Sequence, residues 1–450
     1  MSLTGQTRAL ARQRRSSPWR RSASHSVMAG VVVFLATVTQ SPARFLYDAA
    51  IYWGGSVSLA HGGSPYLTGT LNVRGVVTSV LYLPAALATR VLGDSAGGMA
   101  VLVENSLLVS LVGVLLLPRL LRAWGPVTSW MVWVCAGLTW LLVGRLAPYP
   151  LVDLWAAALM LAAVVVLQRR TKIGLIGAGL LAGIAFNVRP AYLVPLLLAL
   201  AVVLLRQRLA GLWFAAGVVV GLVPQSIVNL TQGTGWKPWP PDMAALTRIQ
   251  AFYASYSVRY DTVYLPGRDP QQFFCNPAMA QTVGDHPPQS TGELAALFLH
   301  SLPQSLLFVT EKAAAALHWP LSTPYFDPTG AGDRLFALLV TAVAVLGVVA
   351  LVKAQPRSGF RSAPVAVWVA LAVWVGSLAT LVTSAPETRY ALPLVLFGIA
   401  GCAMLVRGRL GFRWAAGAFV AVLVMFTIGT LGLSHPAAPG PASPVTCATS

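Results

Sequence analysis

Apolar runs recur along most of this chain, each close to the roughly 20 residues that a helix needs to cross a bilayer. Of its 450 residues, 56% are hydrophobic and only 10% are charged. A soluble core could bury so many apolar residues only by leaving almost nothing to face water. The sequence therefore predicts an all-α integral membrane protein and excludes soluble and disordered proteins.

About eleven of these runs are predicted to be transmembrane helices. A further run, 76–92, is only marginally long enough to cross and contains Pro84. The predicted spans are residues 27–42, 98–117, 127–145, 153–167, 173–188, 190–205, 210–230, 335–352, 364–384, 390–406 and 414–433.

The distribution of Lys and Arg decides whether residues 76–92 cross, because cytoplasmic loops are enriched in basic residues. If this run stays outside, 19 of the 31 basic residues lie on one side of the membrane with no acidic residue among them. If it crosses, every later loop is reversed and this asymmetry is lost. We therefore predict that 76–92 lies along the outer surface. The net charge of +18 is then a topology signal, and nucleic acid is not a predicted partner.

This topology predicts a multi-pass protein of the cell membrane with a cytoplasmic N-terminus. The large external loop is the longest stretch of soluble composition. The predicted parts are a basic cytoplasmic tail (1–26), a seven-span N-terminal module (27–230) with a first external loop (43–97), a large external loop with amphipathic helices (231–333), a four-span C-terminal module (334–433) and an external disordered tail (434–450).

The segment YDAAIYWGGSVSLAHGGSPY, residues 47–66, directly follows the first predicted span and carries Asp48. A carboxylate at the outer boundary of the bilayer can take a proton from a sugar hydroxyl. Asp48 is therefore a candidate general base. The alternative is that it caps the helix that follows it.

Asp48 and five later segments together resemble the polyprenyl-phosphate-sugar-dependent glycosyltransferases of the GT-C superfamily, in particular the actinobacterial lipid mannosyl- and arabinosyltransferases. The resemblance covers most of residues 27–397, including seven spans before the large loop. One departure is that many relatives have two adjacent acids in the first loop, whereas Asp48 is followed by Ala49. The later segments are VLYLPAALATRVLG (80–93), APYPLVDLW (147–155), GLLAGIAFNVRPAYLVPLL (179–197), GLVPQSIVNLTQGTGWKPWP (221–240) and APETRYALPLVLF (385–397).

The resemblance implies a GT-C-type helical bundle with external juxtamembrane helices. It also implies sugar transfer in a single displacement with inversion, with Asp48 as base. Asp153 is a second catalytic candidate, either as a general base or as a residue that binds the acceptor. Its alternative role is the N-cap of its helix. A guanidinium binds phosphate through two hydrogen bonds, so Arg189 and Arg389 are the predicted donor-phosphate ligands. Their alternatives are interfacial anchoring and, for Arg389, pairing with Glu387.

The other site candidates are predicted to line a groove for the sugar or the lipid. The alternative for the tyrosines is the aromatic belt at the membrane surface. The alternative for the residues of the large loop is packing within that loop. The candidates are Tyr52, Tyr66, Tyr82, Tyr149, Tyr390, Glu387, Trp236 and Lys237.

The sequence shows no metal-ligand spacing of His, Cys, Asp and Glu. No cofactor is therefore predicted. A divalent metal ion remains an alternative, but the ligand spacing does not support it. Cys135 and Cys402 lie in apolar runs and are predicted to be packing residues. Cys275 and Cys447 are both predicted to lie outside the membrane. A disulfide between them is one alternative there.

Three other functions compete with the glycosyltransferase. A transporter or flippase of lipid-linked sugars should carry polar residues near the middle of several spans, whereas here the charges cluster at one face, with Glu104 the clear exception. A polysaccharide ligase or acyltransferase would use His and Arg of its largest loop, such as His286, Arg259 and Arg268. A GT-C-like scaffold without catalytic activity is the third.

We predict an outer-face membrane glycosyltransferase that transfers a sugar from a polyprenyl-phosphate donor to a glycan or glycolipid of the cell envelope. Mannose and arabinofuranose are the favoured sugars, and this preference follows from the resemblance and the Ala-, Val- and Arg-rich composition. The predicted partners are the donor, the acceptor and the lipid bilayer.

Overall fold

Helices form most of the computed structural model, which describes residues 18–65, 72–263, 271–321, 325, 331–354, 363–408 and 410–437. Seven helical stretches among these residues are long and apolar enough to cross a membrane. One of them, 190–231, contains Arg208, whose φ is +49°, and holds two of the predicted spans. The chain is therefore a helical membrane protein.

Three of the predicted spans form shorter apolar helices, namely Ser24–Val38, Asp153–Leu167 and Lys172–Val188. A 15-residue helix is about 22 Å long, whereas the hydrocarbon core of a bilayer is about 30 Å thick. The number of eleven spans therefore stays a prediction.

The helices are numbered here in chain order. The N-terminal half contains α1 (Pro18–Val38), α2 (Tyr47–Ala60), α3 (Thr78–Leu81), α4 (Leu83–Leu92), α5 (Gly97–Leu111), α6 (Leu117–Leu121), α7 (Ser129–Val143), α8 (Asp153–Leu167), α9 (Lys172–Val188), α10 (Leu193–Gln207) and α11 (Gly211–Thr231). The C-terminal half contains α12 (Met243–Ala254), α13 (Pro277–Val283), α14 (Thr291–His300), α15 (Leu302–Leu317), α16 (Ala331–Lys353), α17 (Val365–Val382), α18 (Leu392–Met404) and α19 (Phe412–Gly432). A π-helical turn, Val112–Leu116, joins α5 to α6.

The ambiguous run 76–92 is divided into α3 and α4, which meet at Tyr82. The longer of the two, α4, has ten residues and is therefore about 15 Å long, half the thickness of the hydrocarbon core. Neither helix is long enough to cross, which agrees with a position along the surface.

Glycine allows the closest contacts between helices, because a backbone without Cβ atoms can approach another backbone directly. A Cβ atom on Gly179 of α9 would lie 2.0 Å from the carbonyl oxygen of Phe214 in α11. A Cβ atom on Gly347 of α16 would lie 1.9 Å from the carbonyl oxygen of Gly398 in α18. Backbone contact at these points fixes how the spans cross.

A small antiparallel sheet, which the sequence analysis did not predict, takes two strands from the large loop and one from the C-terminal segment. We call it the external sheet, because both segments are predicted to be external. Its strands are β1 (Ser257–Thr262), β2 (Gln271–Cys275) and β3 (Pro436–Ala437), in the order β1-β2-β3. The large loop also contains α14 and α15, which meet at an angle of 116° and together are apolar enough to form one broken span or a re-entrant loop. The side chains that alternate in β1 include Val258, Tyr260 and Thr262, which are typical of strands.

The start of the predicted disordered tail is ordered, because β3 pairs with β2 and the backbone amide of Cys275 donates to His435 O at 2.9 Å. Cys275 is disulfide-bonded, while Cys135 and Cys402 are free thiols. Cys447 lies outside the described residues. The C-terminal segment therefore belongs to the external sheet, which also contacts the candidate site.

Candidate functional site

Acidic and basic side chains from distant parts of the chain meet at one end of the helical bundle. Arg389 forms ion pairs with Asp48 and Glu387, and its Nη1 lies 3.6 Å from Oδ2 of Asp153. Asp153 also pairs with Arg189. A third arginine, Arg74, lies beside them. We call these six residues the ionic cluster: Asp48, Asp153, Glu387, Arg74, Arg189 and Arg389.

Four of the six charged groups are placed by the end of a helix. Asp48 lies in the first turn of α2, and Asp153 is the first residue of α8. The positive end of a helix dipole stabilises a carboxylate in this position. Arg189 follows the last residue of α9 in extended conformation, and Arg389 lies in the 3₁₀ turn that precedes α18. The ionic cluster therefore lies where several spans begin or end.

The three carboxylates differ in their access to solvent. The side chain of Asp48 is 35% exposed, whereas those of Asp153 and Glu387 are 4% and 7% exposed. Asp153 also interacts with two arginines, since it pairs with Arg189 and lies 3.6 Å from Nη1 of Arg389. Asp48 is therefore the most solvent-accessible carboxylate of the ionic cluster.

Arg74 is a cluster residue that sequence reasoning missed. Its Nε donates a hydrogen bond to the hydroxyl oxygen of Tyr52 at 3.0 Å. Within the described residues, no carboxylate oxygen lies within 4.0 Å of its guanidinium, in contrast to Arg189 and Arg389. The available signal was a basic residue in a loop on the side that the Lys and Arg distribution predicts to be external.

Buried amides hold the backbone on the C-terminal side of Arg74 in place. Val76 N donates to Oε1 of Gln225 at 2.9 Å, and Val77 N donates to Oδ1 of Asn187 at 3.0 Å. The backbone of Gly75 passes so close to Asn187 that a Cβ atom would lie 2.2 Å from its carbonyl oxygen. The guanidinium of Arg74 is therefore carried by a fixed segment and not by a free loop.

Tyrosines complete the surroundings of the arginines. The Arg189 guanidinium lies over the ring of Tyr390, 4.2 Å from its centre, in a cation–π contact. The hydroxyl oxygens of Tyr390 and Tyr260 are 3.4 Å apart. Tyr52 is 3% exposed and bonds Arg74. Tyr52 and Tyr390 thus lie beside the ionic cluster. Tyr260, which sequence reasoning missed, lies there too.

Strand β1 fixes the segment that carries Glu387 and Arg389. The backbone amide of Tyr260 donates to Pro386 O at 3.0 Å, and Thr262 Oγ1 donates to Oε1 of Glu387 at 2.7 Å. The external sheet therefore holds one wall of the site.

The charges also determine the protonation state of Asp48. Burial raises the pKa of the Asp48 carboxyl, but attraction to Arg389 and Arg74 outweighs it and holds this pKa below its usual value of 3.8. Burial lowers the pKa of Arg74, but Tyr52, Tyr390 and Asp48 raise it above its usual value. Asp48 is therefore a carboxylate and Arg74 a cation at neutral pH.

A narrow cavity leads from the ionic cluster between α10 and α17. Its walls combine charged groups with apolar side chains and two hydroxyl groups of α17. It is lined by Asp153, Arg189, Ala191, Tyr192, Pro195, Ser377, Thr380, Leu381, Arg389, Tyr390 and Pro393.

Several predicted groove residues have partners outside the ionic cluster or are exposed. The Tyr82 hydroxyl is buried 2.7 Å from Leu151 O and 3.2 Å from Oδ1 of Asn105, so it ties α4 to the loop before α8. Tyr149 packs edge-on against Tyr325, 5.7 Å between ring centres. Trp236 and Lys237 are exposed on the turn after α11. Tyr66 lies outside the described residues.

Among the residues named for a ligase or acyltransferase, Arg259 has a structural role. Arg259 is buried, pairs with Asp261, and its Nη1 donates to Ala315 O and His318 O at 2.9 and 2.7 Å, which caps α15. Burial, together with repulsion from Arg259, lowers the pKa of His318 to about 4. His286 is exposed, and Arg268 lies outside the described residues.

In the described part of the chain, no group of three or more His, Cys, Asp and Glu side chains could hold a metal ion. The carboxylates of the ionic cluster are occupied by arginines. No protein-family model, curated protein or solved structure matches the chain.

Proposed function

We propose that this protein is a membrane glycosyltransferase of GT-C type that acts at the outer face of the cell membrane. The observation that supports it best is the ionic cluster, in which one accessible carboxylate lies beside three arginines at the end of the bundle. A carboxylate can activate an acceptor hydroxyl, and arginines can hold a phosphate leaving group. The donor is a sugar on a polyprenyl phosphate, with mannose or arabinofuranose favoured by the resemblance.

Asp48 is the general base in this proposal, because it is the most exposed of the three carboxylates. It takes the proton of the acceptor hydroxyl while the acceptor oxygen attacks the anomeric carbon. The bond from that carbon to the phosphate oxygen breaks, and polyprenyl phosphate leaves with the electron pair. Attack from the opposite side inverts the anomeric configuration.

Asp153 has a positioning role in this proposal, because it is buried and neutralised by Arg189. Arg189 and Arg389 were the predicted phosphate ligands, yet both are paired with carboxylates. Arg74 has no carboxylate within 4.0 Å in the part of the chain that the structure describes. We therefore assign the donor phosphate chiefly to Arg74, with Arg389 next to it.

The direct test uses synthetic polyprenyl-phosphate mannose and polyprenyl-phosphate arabinofuranose with membranes that carry the protein. We expect transfer of one of the two sugars to an envelope glycan or glycolipid, with inversion, above the level of membranes without the protein. Absence of transfer from both donors, with the protein present and folded, would contradict the proposal.

Arg74→Gln is expected to raise the KM for the donor by roughly 10- to 100-fold, because a charge-assisted hydrogen bond to phosphate contributes about 1.5–3 kcal/mol. The KM for the acceptor should change little. Arg90→Gln is the matched control, since Arg90 lies in the same external loop and donates to Ala60 O. Equal donor KM values for Arg74→Gln and the wild type would remove Arg74 from the phosphate site.

The pH dependence of kcat/KM should follow the carboxyl group of Asp48. Its pKa lies below 3.8, so we expect activity to remain constant from neutral pH down to about pH 5 and to fall only in stronger acid. Arg74→Gln removes an attraction that lowers this pKa, so the acid limb should move to higher pH. An acid limb at higher pH in the wild type, unchanged in Arg74→Gln, would contradict the assignment of the base.

A further inference from the structure

A second polar cavity lies at the opposite end of the bundle, between the ends of α16 and α18. We call it the inner wedge. Its volume is about 290 Å³. The lining residues are Ala350, Lys353, Ala354, Met404, Leu405, Arg407, Gly408 and Leu410.

The inner wedge follows from the way α16 and α18 cross. Their backbones touch at three glycines. Cβ atoms added to Gly347 and Gly401 would lie 1.9 Å from the carbonyl oxygens of Gly398 and Gly347, respectively, and one added to Gly398 would lie 2.7 Å from the Cα atom of Ala344. Two straight helices in such close contact diverge on either side of the contact point. Ala350 and Met404, about one turn beyond, are small or flexible and leave the gap open.

The wedge combines an apolar floor with a basic mouth. Ala350 and Met404 are buried at the floor, whereas Lys353 and Arg407 are exposed at the mouth. The Arg407 guanidinium lies against Gly125, whose added Cβ atom would be 3.0 Å from Nη1. The predicted inner loops contain no acidic residue. Lys and Arg are expected on this side for topology, but topology alone does not place two of them over one apolar cavity.

We propose that the inner wedge binds the phosphate headgroup of an anionic phospholipid from the leaflet opposite the ionic cluster. Lys353 and Arg407 would contact the phosphate, and the first part of an acyl chain would lie over Ala350 and Met404. Basic cavities between transmembrane helices on the cytoplasmic side suit such headgroups. The apolar floor and the opening between two membrane helices favour a lipid over a soluble phosphate. This site is independent of the proposed glycosyltransferase activity.

The test compares lipid binding to the full-length protein in neutral detergent. Thermal unfolding and native mass spectrometry are recorded with phosphatidylglycerol, phosphatidylcholine and inorganic phosphate. Lys353→Gln and Arg407→Gln are the test variants, and Arg208→Gln is the control that removes a cation elsewhere on the same side. The quantity compared is the stabilisation by phosphatidylglycerol relative to phosphatidylcholine within each variant, so a general loss of stability cancels.

We expect phosphatidylglycerol to bind the wild type more tightly than phosphatidylcholine, and each test variant to bind it about tenfold more weakly, since one charge-assisted contact is lost. Arg208→Gln should bind like the wild type. Stabilisation by inorganic phosphate to the same extent would contradict the lipid assignment, because the acyl chain would then add nothing to binding. Equal binding of both lipids by the wild type, or unchanged preference in both test variants, would overturn the proposal.

Discussion

Asp48→Asn is expected to reduce sugar transfer by roughly 10²–10⁴-fold, the usual contribution of a general base. Asparagine preserves the size of the side chain and keeps an oxygen for Arg389, but it cannot accept the proton of an acceptor hydroxyl. The loss should appear in kcat, and the KM for the donor should change little, because Asp48 does not contact the phosphate in the proposed arrangement. Radioactive sugar transfer with purified protein measures both constants.

The matched control is Asp285→Asn, which removes an exposed carboxylate that the predicted topology places on the same side of the membrane. It should transfer sugar like the wild type. Thermal unfolding of Asp48→Asn should show that the helical bundle is intact. If Asp48→Asn is folded and transfers sugar at the wild-type rate, the proposed mechanism is wrong and Asp153 becomes the next candidate for the base.

The site residues that sequence reasoning brought together share one property. Asp48, Asp153, Arg189 and Arg389 each stand at the end of an apolar run on the predicted outer side. A topology map places such positions in one layer, and the ends of packed spans within one layer are neighbours. Their proximity could therefore be predicted without knowledge of the packing, while their chemical roles stay proposals.

The sequence could not show which residues of the outer layer point toward the ionic cluster and which point elsewhere. Tyr82 and Tyr390 are both outer-layer tyrosines, yet Tyr82 is bonded to Leu151 O and Asn105, whereas Tyr390 stacks on Arg189. The difference depends on how α4 packs against α5 and the loop before α8. Spacing along the chain does not encode that packing.

Arg74 could not be placed from the sequence because amides far along the chain position it. Val77 is bonded to Asn187, 110 residues later, and Val76 to Gln225, 149 residues later. Asn and Gln within apolar runs indicate buried hydrogen bonds, but their backbone partners cannot be read from spacing. The external sheet was missed for a related reason, since β2 has only five residues and β3 two.

The ionic cluster balances three carboxylates against three guanidinium groups, which leads to a second expected result of large effect. Asp153→Asn leaves the buried guanidinium of Arg189 without its ion-pair partner. Removing one partner of a buried pair costs about 3–5 kcal/mol, so the variant should unfold at a clearly lower temperature than the wild type. Asp285→Asn, which removes an exposed charge, should unfold like the wild type.

The double variant Asp153→Asn/Arg189→Gln separates a positioning role of Asp153 from a chemical one. It removes both charges of the pair, so the balance of the ionic cluster returns and most of the lost stability should return with it. Asp48, Arg389 and Arg74 are unchanged. The double variant should therefore transfer sugar faster than Asp153→Asn does. A double variant that is as stable as the wild type but as inactive as Asp48→Asn would show that Asp153 or Arg189 takes part in the chemistry itself.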